Sequence, residues 1–405
     1  MVSAARRDAI IGALRRGTVP SAGLDALAVG IERLAPTFDA DLDAAGAGAA
    51  VFKSVRGDYG AGKTFFGRWL QERARARGFA TSEVQISETE TPLHRMETVY
   101  RRLVERLATA DAKGLLERTE ALMEQRLAGV SRVAPAFAGV LRAYRRALAA
   151  GDAATAEGLI AWLSGQPNVA AAVKRMAGVK GDLDHFGAAN FLAGLLVILR
   201  DSGYAGLVWV LDEVETLQRM RGDTREKGLN ALRQWIDEID AGRFPGLVLV
   251  VTGTPAFFDG PQGVQRLAPL AQRLHTDFAT DRRFDNPRAP QVRLAPFDTG
   301  ALTAVGRRVR DLFAEGRPMQ ERVRAVADDA YIEALARAVT GHLGGQVGVA
   351  PRLFLKKLVA EVLDRVELHA DFDPRLHYAL TVAEHEMTVP ERAASGAASV
   401  DDIEL

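Results

Sequence analysis

The 405-residue sequence contains no cysteine, which excludes disulfides, cysteine-ligated zinc and thiol catalysis. No apolar run approaches the length of a membrane span, and the first residues lack the apolar core of a signal peptide. Net charge is also missing: 52 basic residues balance 52 acidic ones. Charge alone therefore calls for no polyanionic partner, although a local basic patch is enough for one. The seven histidines are scattered, with no HExxH or other close pair, so each reads as a surface or core residue rather than a metal ligand. A reducing, cytoplasmic setting without membrane attachment is the simplest fit. What remains is ordinary for a globular protein: 48% hydrophobic and 26% charged residues, enough for one large domain or two moderate ones. Arginine outnumbers lysine 44 to 8, which genome base composition explains more simply than phosphate recognition.

Against this background one stretch stands out. Gly57-Asp58-Tyr59-Gly60-Ala61-Gly62-Lys63-Thr64 fits G-x-x-x-x-G-K-[ST] without a substitution. An apolar strand is expected before it, over residues 50–56, and an amphipathic helix after it, from Phe65 to Ala74. In that context glycines let backbone amides turn inward around the phosphates of a nucleoside triphosphate. The helix N-terminus adds a fixed positive field, Lys63 reaches the outer phosphates, and the Thr64 hydroxyl can hold Mg²⁺. An ordinary glycine turn between strand and helix is the plainer alternative.

Further strands are expected at residues 81–86, 207–211, 247–252 and, weakly, 292–294, those at 207–211 and 247–252 as buried apolar runs suited to a central parallel sheet. Helical patterns fill the spaces between them: 8–16, 23–34, 93–109, an alanine-rich stretch over 110–185 with breaks near Gly129 and Gly165, then 190–200, 226–240 and 301–364. Short apolar strands alternating with helices argue for a parallel sheet covered on both faces. The tail from about Pro390, rich in Ala, Ser and Gly with acidic residues, is expected to be disordered.

The run Leu207–Leu211 ends in Asp212 and Glu213. A carboxylate at the carboxyl edge of such a sheet lies where open α/β sheets bind ligands. There Asp212 suits Mg²⁺ and Glu213 the activation of a water as general base; two helix-starting acids are the bland alternative. Glu215 is either a supporting partner or a cap acid. Thr252, closing the next strand, can orient water or sense the terminal phosphate, while Thr254 can cap the following turn. Arg273 reads either as a finger reaching a neighbouring subunit's phosphate or as a surface arginine, with Arg266 in reserve. Pro351 at a first helical turn aims Arg352 toward a nucleotide.

In this order the motifs resemble the AAA+ ATPases, especially origin-recognition-type initiators, over about residues 40–365. The resemblance implies an α/β P-loop NTPase fold: a central parallel sheet of order 5-1-4-3-2, a helical insertion and a C-terminal helical lid. Its domains run 1–40 as a helical leader, 41–297 as the ATPase core with the insertion at about 110–185, 298–370 as the lid, and 371–405 as a short terminal segment. It makes Lys63 and Thr64 the Walker A pair, Asp212 and Glu213 the Walker B pair, Thr252 sensor 1, Arg352 sensor 2 and Arg273 the finger; Gly57 to Phe65 hold ATP, with Mg²⁺ on Thr64 and Asp212. The strings 15–20, 55–65, 92–95, 211–218 and 253–262 also resemble BrxD-type ATP-binding proteins of bacterial BREX phage-defence systems. That likeness implies an ATPase and homo-oligomer acting on DNA, without sequence preference, beside a helicase or other defence protein as loader or clamp. Initiators carry a winged-helix DNA reader after the lid; about forty residues remain here, too few for one. A nucleotide-gated switch acting on protein partners alone is the competing function, and a metabolic kinase a weaker third.

Overall fold

The computed structural model describes residues 3–109, 129–343, 351–387, 391, 392 and 395. They form two compact units. The first gathers residues 1–35, 57–72 and 293–405; the second gathers 36–56 and 73–292.

The second unit holds the sheet. Its strands are β1 (Val51–Arg56), β2 (Ala80–Gln85), β3 (Leu207–Asp212), β4 (Leu247–Gly253) and β5 (Gln291–Arg293). Across the sheet the order is β2-β3-β4-β1-β5, or 5-1-4-3-2 from the β5 edge. The β1–β4, β2–β3 and β3–β4 pairs are parallel. Every residue of β3 and β4 is buried, which is why both read as unbroken apolar runs with no alternation. Helices cover them: α2 (Ala35–Gly46), α4 (Met96–Glu105), α5 (Pro135–Ala149), α6 (Ala153–Leu163), α7 (Ala171–Met176), α8 (His185–Asp201) and α9 (Gly222–Asp240). α3 (Lys63–Ala76) starts in the first unit and ends in this one. Asp152 and Asp184 cap α6 and α8 by accepting the amide protons of Thr155 and Gly187. The inserted helices share the sheet's core through Phe191, which meets Tyr100, Phe137 and Trp162 edge-on.

β3 and β4 begin in close backbone contact. A Cβ on Gly206 would lie 2.1 Å from the Gly246 carbonyl oxygen, and a backbone atom there has no flexible end to move aside. Gly206→Ala is expected to lower stability by about 2–4 kcal/mol, read as a lower melting midpoint, whereas Gly242→Ala, with nothing near its Cβ position but φ +73°, tests backbone strain alone.

The first unit is helical. α1 (Ala4–Arg15) shares a core with α12 (Thr299–Ala314), α13 (Gln320–Val326), α14 (Asp329–His342), α15 (Pro351–Lys357) and α16 (Asp364–Leu368), the last two joined by a wider turn over Leu358–Leu363. Arg15 donates to both Asp364 oxygens, at 2.6 and 2.7 Å.

Several sequence expectations need correction. No helix spans 23–34: left-handed Gly23 and Gly30 leave only short turns at Leu24–Ala26 and Glu32–Leu34, and the helix starts at Ala35 with Pro36 in its first turn. Gly129–Ser131 is helical rather than a break, the break falling before Pro135. The helix expected over 93–109 ends at Glu105, and Ala108 instead pairs with Thr81. The helical run 301–364 is interrupted at 315–319 and 327–328. Residues 110–128 and most of the tail lie outside the described residues. Among the described residues no helix is long and apolar enough to cross a membrane.

Candidate nucleotide site

The acids come from the second unit. Asp212 ends β3, paired across the ladder with Gln85 at the end of β2, while Leu211 faces Val251 of β4. Thr252 therefore stands beside Asp212, and its hydroxyl donates to Asp212 Oδ1. Both side chains are buried. The next amide, of Glu213, points back at the same two oxygens, 3.1 Å from Asp212 Oδ1 and 3.3 Å from Thr252 Oγ1. To do so Glu213 adopts φ +61°, a left-handed conformation unusual for a glutamate. The turn Val214–Arg219 follows, with Glu215 buried in it. Glu213 Oε2 accepts the Gln85 amide at 2.8 Å, while its own side chain is only half-buried. β1 runs alongside, Val55 facing Thr252 and Arg56 facing Gly253. The Arg56 guanidinium pairs with Asp259 of the short helix α10 (Pro255–Asp259) and lies over the rings of Phe258 and Phe278. Thr254 takes the N-cap position of α10 but makes no side-chain capping bond.

The loop belongs to the first unit. It follows Arg56 directly, and α3 starts at Lys63, so the amides of that first turn have no intrahelical acceptor and point into the loop. Gly60 and Gly62 lie at φ +80° and +86°, where a side chain is strained. A Cβ on Gly57 would meet Ala61 Cβ at 3.0 Å. Lys63 is buried; its Nζ donates to the carbonyl oxygens of Gly57 and Asp58 at 2.9 and 3.3 Å and lies 5.1 Å from the Tyr59 ring centroid. Left-handed glycines, a helix N-terminus and an ammonium in one short loop fit a polyphosphate. Thr64 lies in the same first turn, followed by Phe65, partly buried on the helical core.

The family model described as BREX system ATP-binding protein BrxC/D matches residues 2–114 and 109–382, most of the chain. The chain belongs to this family. No curated protein and no solved structure matches it. Binding ATP is the family's property, and with it an ATP-dependent role in BREX phage defence. Three expected residues, Asp212, Glu213 and Thr252, meet in one hydrogen-bonded group; Gly57 to Thr64 form the loop.

The arginines have other company. Arg273, on α11 (Ala268–Leu274), donates to Asp237 of α9 and, at 2.8 Å, to the Pro269 carbonyl. Arg266 is exposed in the turn before α11. Arg352, in the first turn of α15, is bound by Glu391. Among the described residues no group of three or more His, Asp or Glu side chains is arranged for a metal; magnesium in triphosphate sites commonly takes one or two protein oxygens, the remainder being phosphate and water.

Sequence reasoning missed Gln85. Its only signal is a polar residue closing the strand next to the one that ends in Asp212, in a strand where Thr81, Ser82 and Glu83 are polar as well. An amide proton on the Glu213 carboxylate draws electron density from the oxygen that accepts it and makes that oxygen a weaker base. Gln85→Ala is expected to raise basal ATP turnover about two- to fivefold with ATP affinity unchanged, measured by steady-state phosphate release.

Proposed function

We propose that this protein binds and hydrolyses ATP as an AAA+ type ATPase with a C-terminal helical lid, and that it acts on DNA beside a partner helicase, as a loader or clamp, in phage defence. The observation that carries the reading is the group Asp212–Thr252–Glu213 at the end of neighbouring parallel strands, in a chain whose β1 leads straight into the phosphate loop. When bound, Mg·ATP supplies the phosphoryl group and the metal charge that compensates it. Lys63 and the loop amides hold its phosphates, and Thr64 and Asp212 are the residues that would hold magnesium. Glu213 takes the proton of the attacking water, and Thr252 keeps Asp212 and the Glu213 amide in register. Arg273 serves a neighbouring subunit in a homo-oligomer, which requires it to leave Asp237.

DNA contact rests on the family likeness to BREX proteins. Duplex DNA titrated into the protein with and without ATP, across a salt series, is expected to show ATP-dependent binding that weakens as salt rises. No binding in any nucleotide state, alone or with the helicase, rejects it. A second reading is favoured by the balance of 52 basic and 52 acidic residues: a nucleotide-gated switch acting on protein partners without nucleic acid. Nuclease-treated pulldowns that recover the same partners separate the two.

A further inference from the structure

α15 carries three cations on adjoining positions, Arg352, Lys356 and Lys357, and the chain's own C-terminal segment answers each one. Glu391 accepts from Arg352 through both carboxylate oxygens, Nε to Oε1 at 3.0 Å, and is itself buried. The Glu386 carbonyl takes the same guanidinium. The Glu386 carboxylate bridges Lys356 Nζ at 2.9 Å and Lys357 Nζ at 2.8 Å, and accepts the Ala383 amide at 3.2 Å. Those donors hold the Glu386 carboxyl down at about 2 against the cost of burial, so it is ionised throughout the physiological range. Tyr378, Leu380, Val382 and Met387 rest on the helical core, fixing the segment between these contacts.

The cations lie next to structure that is tied to the phosphate-loop helix within the same unit. A Cβ on Gly17 would meet Arg352 Nη1 at 3.2 Å and Lys356 Cδ at 3.4 Å. Two residues on, the Val19 carbonyl accepts from Arg68 of α3 at 3.1 Å. Trp69 of α3 donates to Asp25 at 2.7 Å, and Glu72 accepts the amides of Gly23 and Leu24. A two-oxygen carboxylate on a guanidinium also presents the geometry of a phosphate on that guanidinium.

We infer that the segment carrying Glu386 and Glu391 forms an autoinhibitory strap, occupying with the Glu391 carboxylate and the Glu386 carbonyl the arginine that bound ATP takes with phosphate oxygens. The inference rests on the proposed ATPase reading and on the sensor role that the AAA+ resemblance implies for Arg352. It makes the strap a competitor: while Glu391 holds Arg352, ATP meets an incomplete site, and ATP binding expels the segment.

Three measurements test this on the full chain. Calorimetric titration of Mg·ATP into Glu391→Gln protein is expected to show binding about tenfold tighter than wild type, the strapped form being the dominant population. Arg352→Ala is expected to weaken binding and abolish the difference that Glu391→Gln makes. In wild-type protein, saturating ATP is expected to speed amide hydrogen exchange over residues 380–387 about tenfold, a readout that needs neither turnover nor a variant that folds. Unchanged affinity in Glu391→Gln with a clear loss in Arg352→Ala overturns the strap and leaves the role of Arg352 standing. Unchanged affinity in Arg352→Ala overturns both, and exchange over 380–387 that ATP does not alter overturns the strap.

Discussion

Glu213→Gln protein is expected to bind Mg·ATP within a few-fold of wild type and to hydrolyse it about 10²–10⁴ times more slowly, the usual contribution of a placed general base. Glutamine has the same shape, so the left-handed backbone of residue 213, its amide bonds to Asp212 and Thr252 and the contact with Gln85 are all retained. Only the proton acceptor is lost. Single-turnover hydrolysis beside calorimetric binding separates the two effects, and normal hydrolysis in this variant would remove Glu213 from its role. Because ATP is bound and not consumed, any ATP-dependent assembly should accumulate, which light scattering or native mass spectrometry detects.

Lys63→Ala acts on the other half of the chemistry. An ammonium on phosphate makes charge-assisted hydrogen bonds worth about 1.5–3 kcal/mol, so ATP affinity should fall roughly 10- to 150-fold. Lys63 also holds the Gly57 and Asp58 carbonyls, and part of the loss comes from a loosened loop. Lys63→Arg distinguishes these contributions: it keeps the charge but not the compact reach into those carbonyls. Recovery of affinity in the arginine variant would assign the effect to charge, and failure to recover would assign it to shape. Titration of ATP into either protein gives the answer directly.

How far the sequence foretold these features depended on the range over which each is encoded. β3 and β4 were legible because burial on both faces leaves a continuous apolar string, and the phosphate loop because its glycines, lysine and threonine act within eight consecutive residues. The pairing of Asp212 with Thr252 followed from two strands ending in polar residues. The short turns of 23–34 escaped because apolar spacing there is helical while two left-handed glycines veto the helix. Gln85 escaped because Thr81, Ser82 and Glu83 make β2 polar along much of its length, so one more polar residue at its end carries no signal. The helical core of the first unit was hidden for a different reason. Arg15 meets Asp364, and Arg352 meets Glu391, through contacts that no local pattern announces, so residues expected as a leader, a loop and a lid proved to cluster together.

The backbone of Glu213 carries a consequence for how this protein tolerates change. A left-handed conformation suits glycine or asparagine better than glutamate, and exchanging a non-glycine residue there relieves roughly 1 kcal/mol of strain. Selection for thermal robustness alone would therefore drift this position toward glycine. Such a lineage would gain heat resistance while surrendering the proton acceptor proposed for hydrolysis, a stability–activity trade-off confined to one codon.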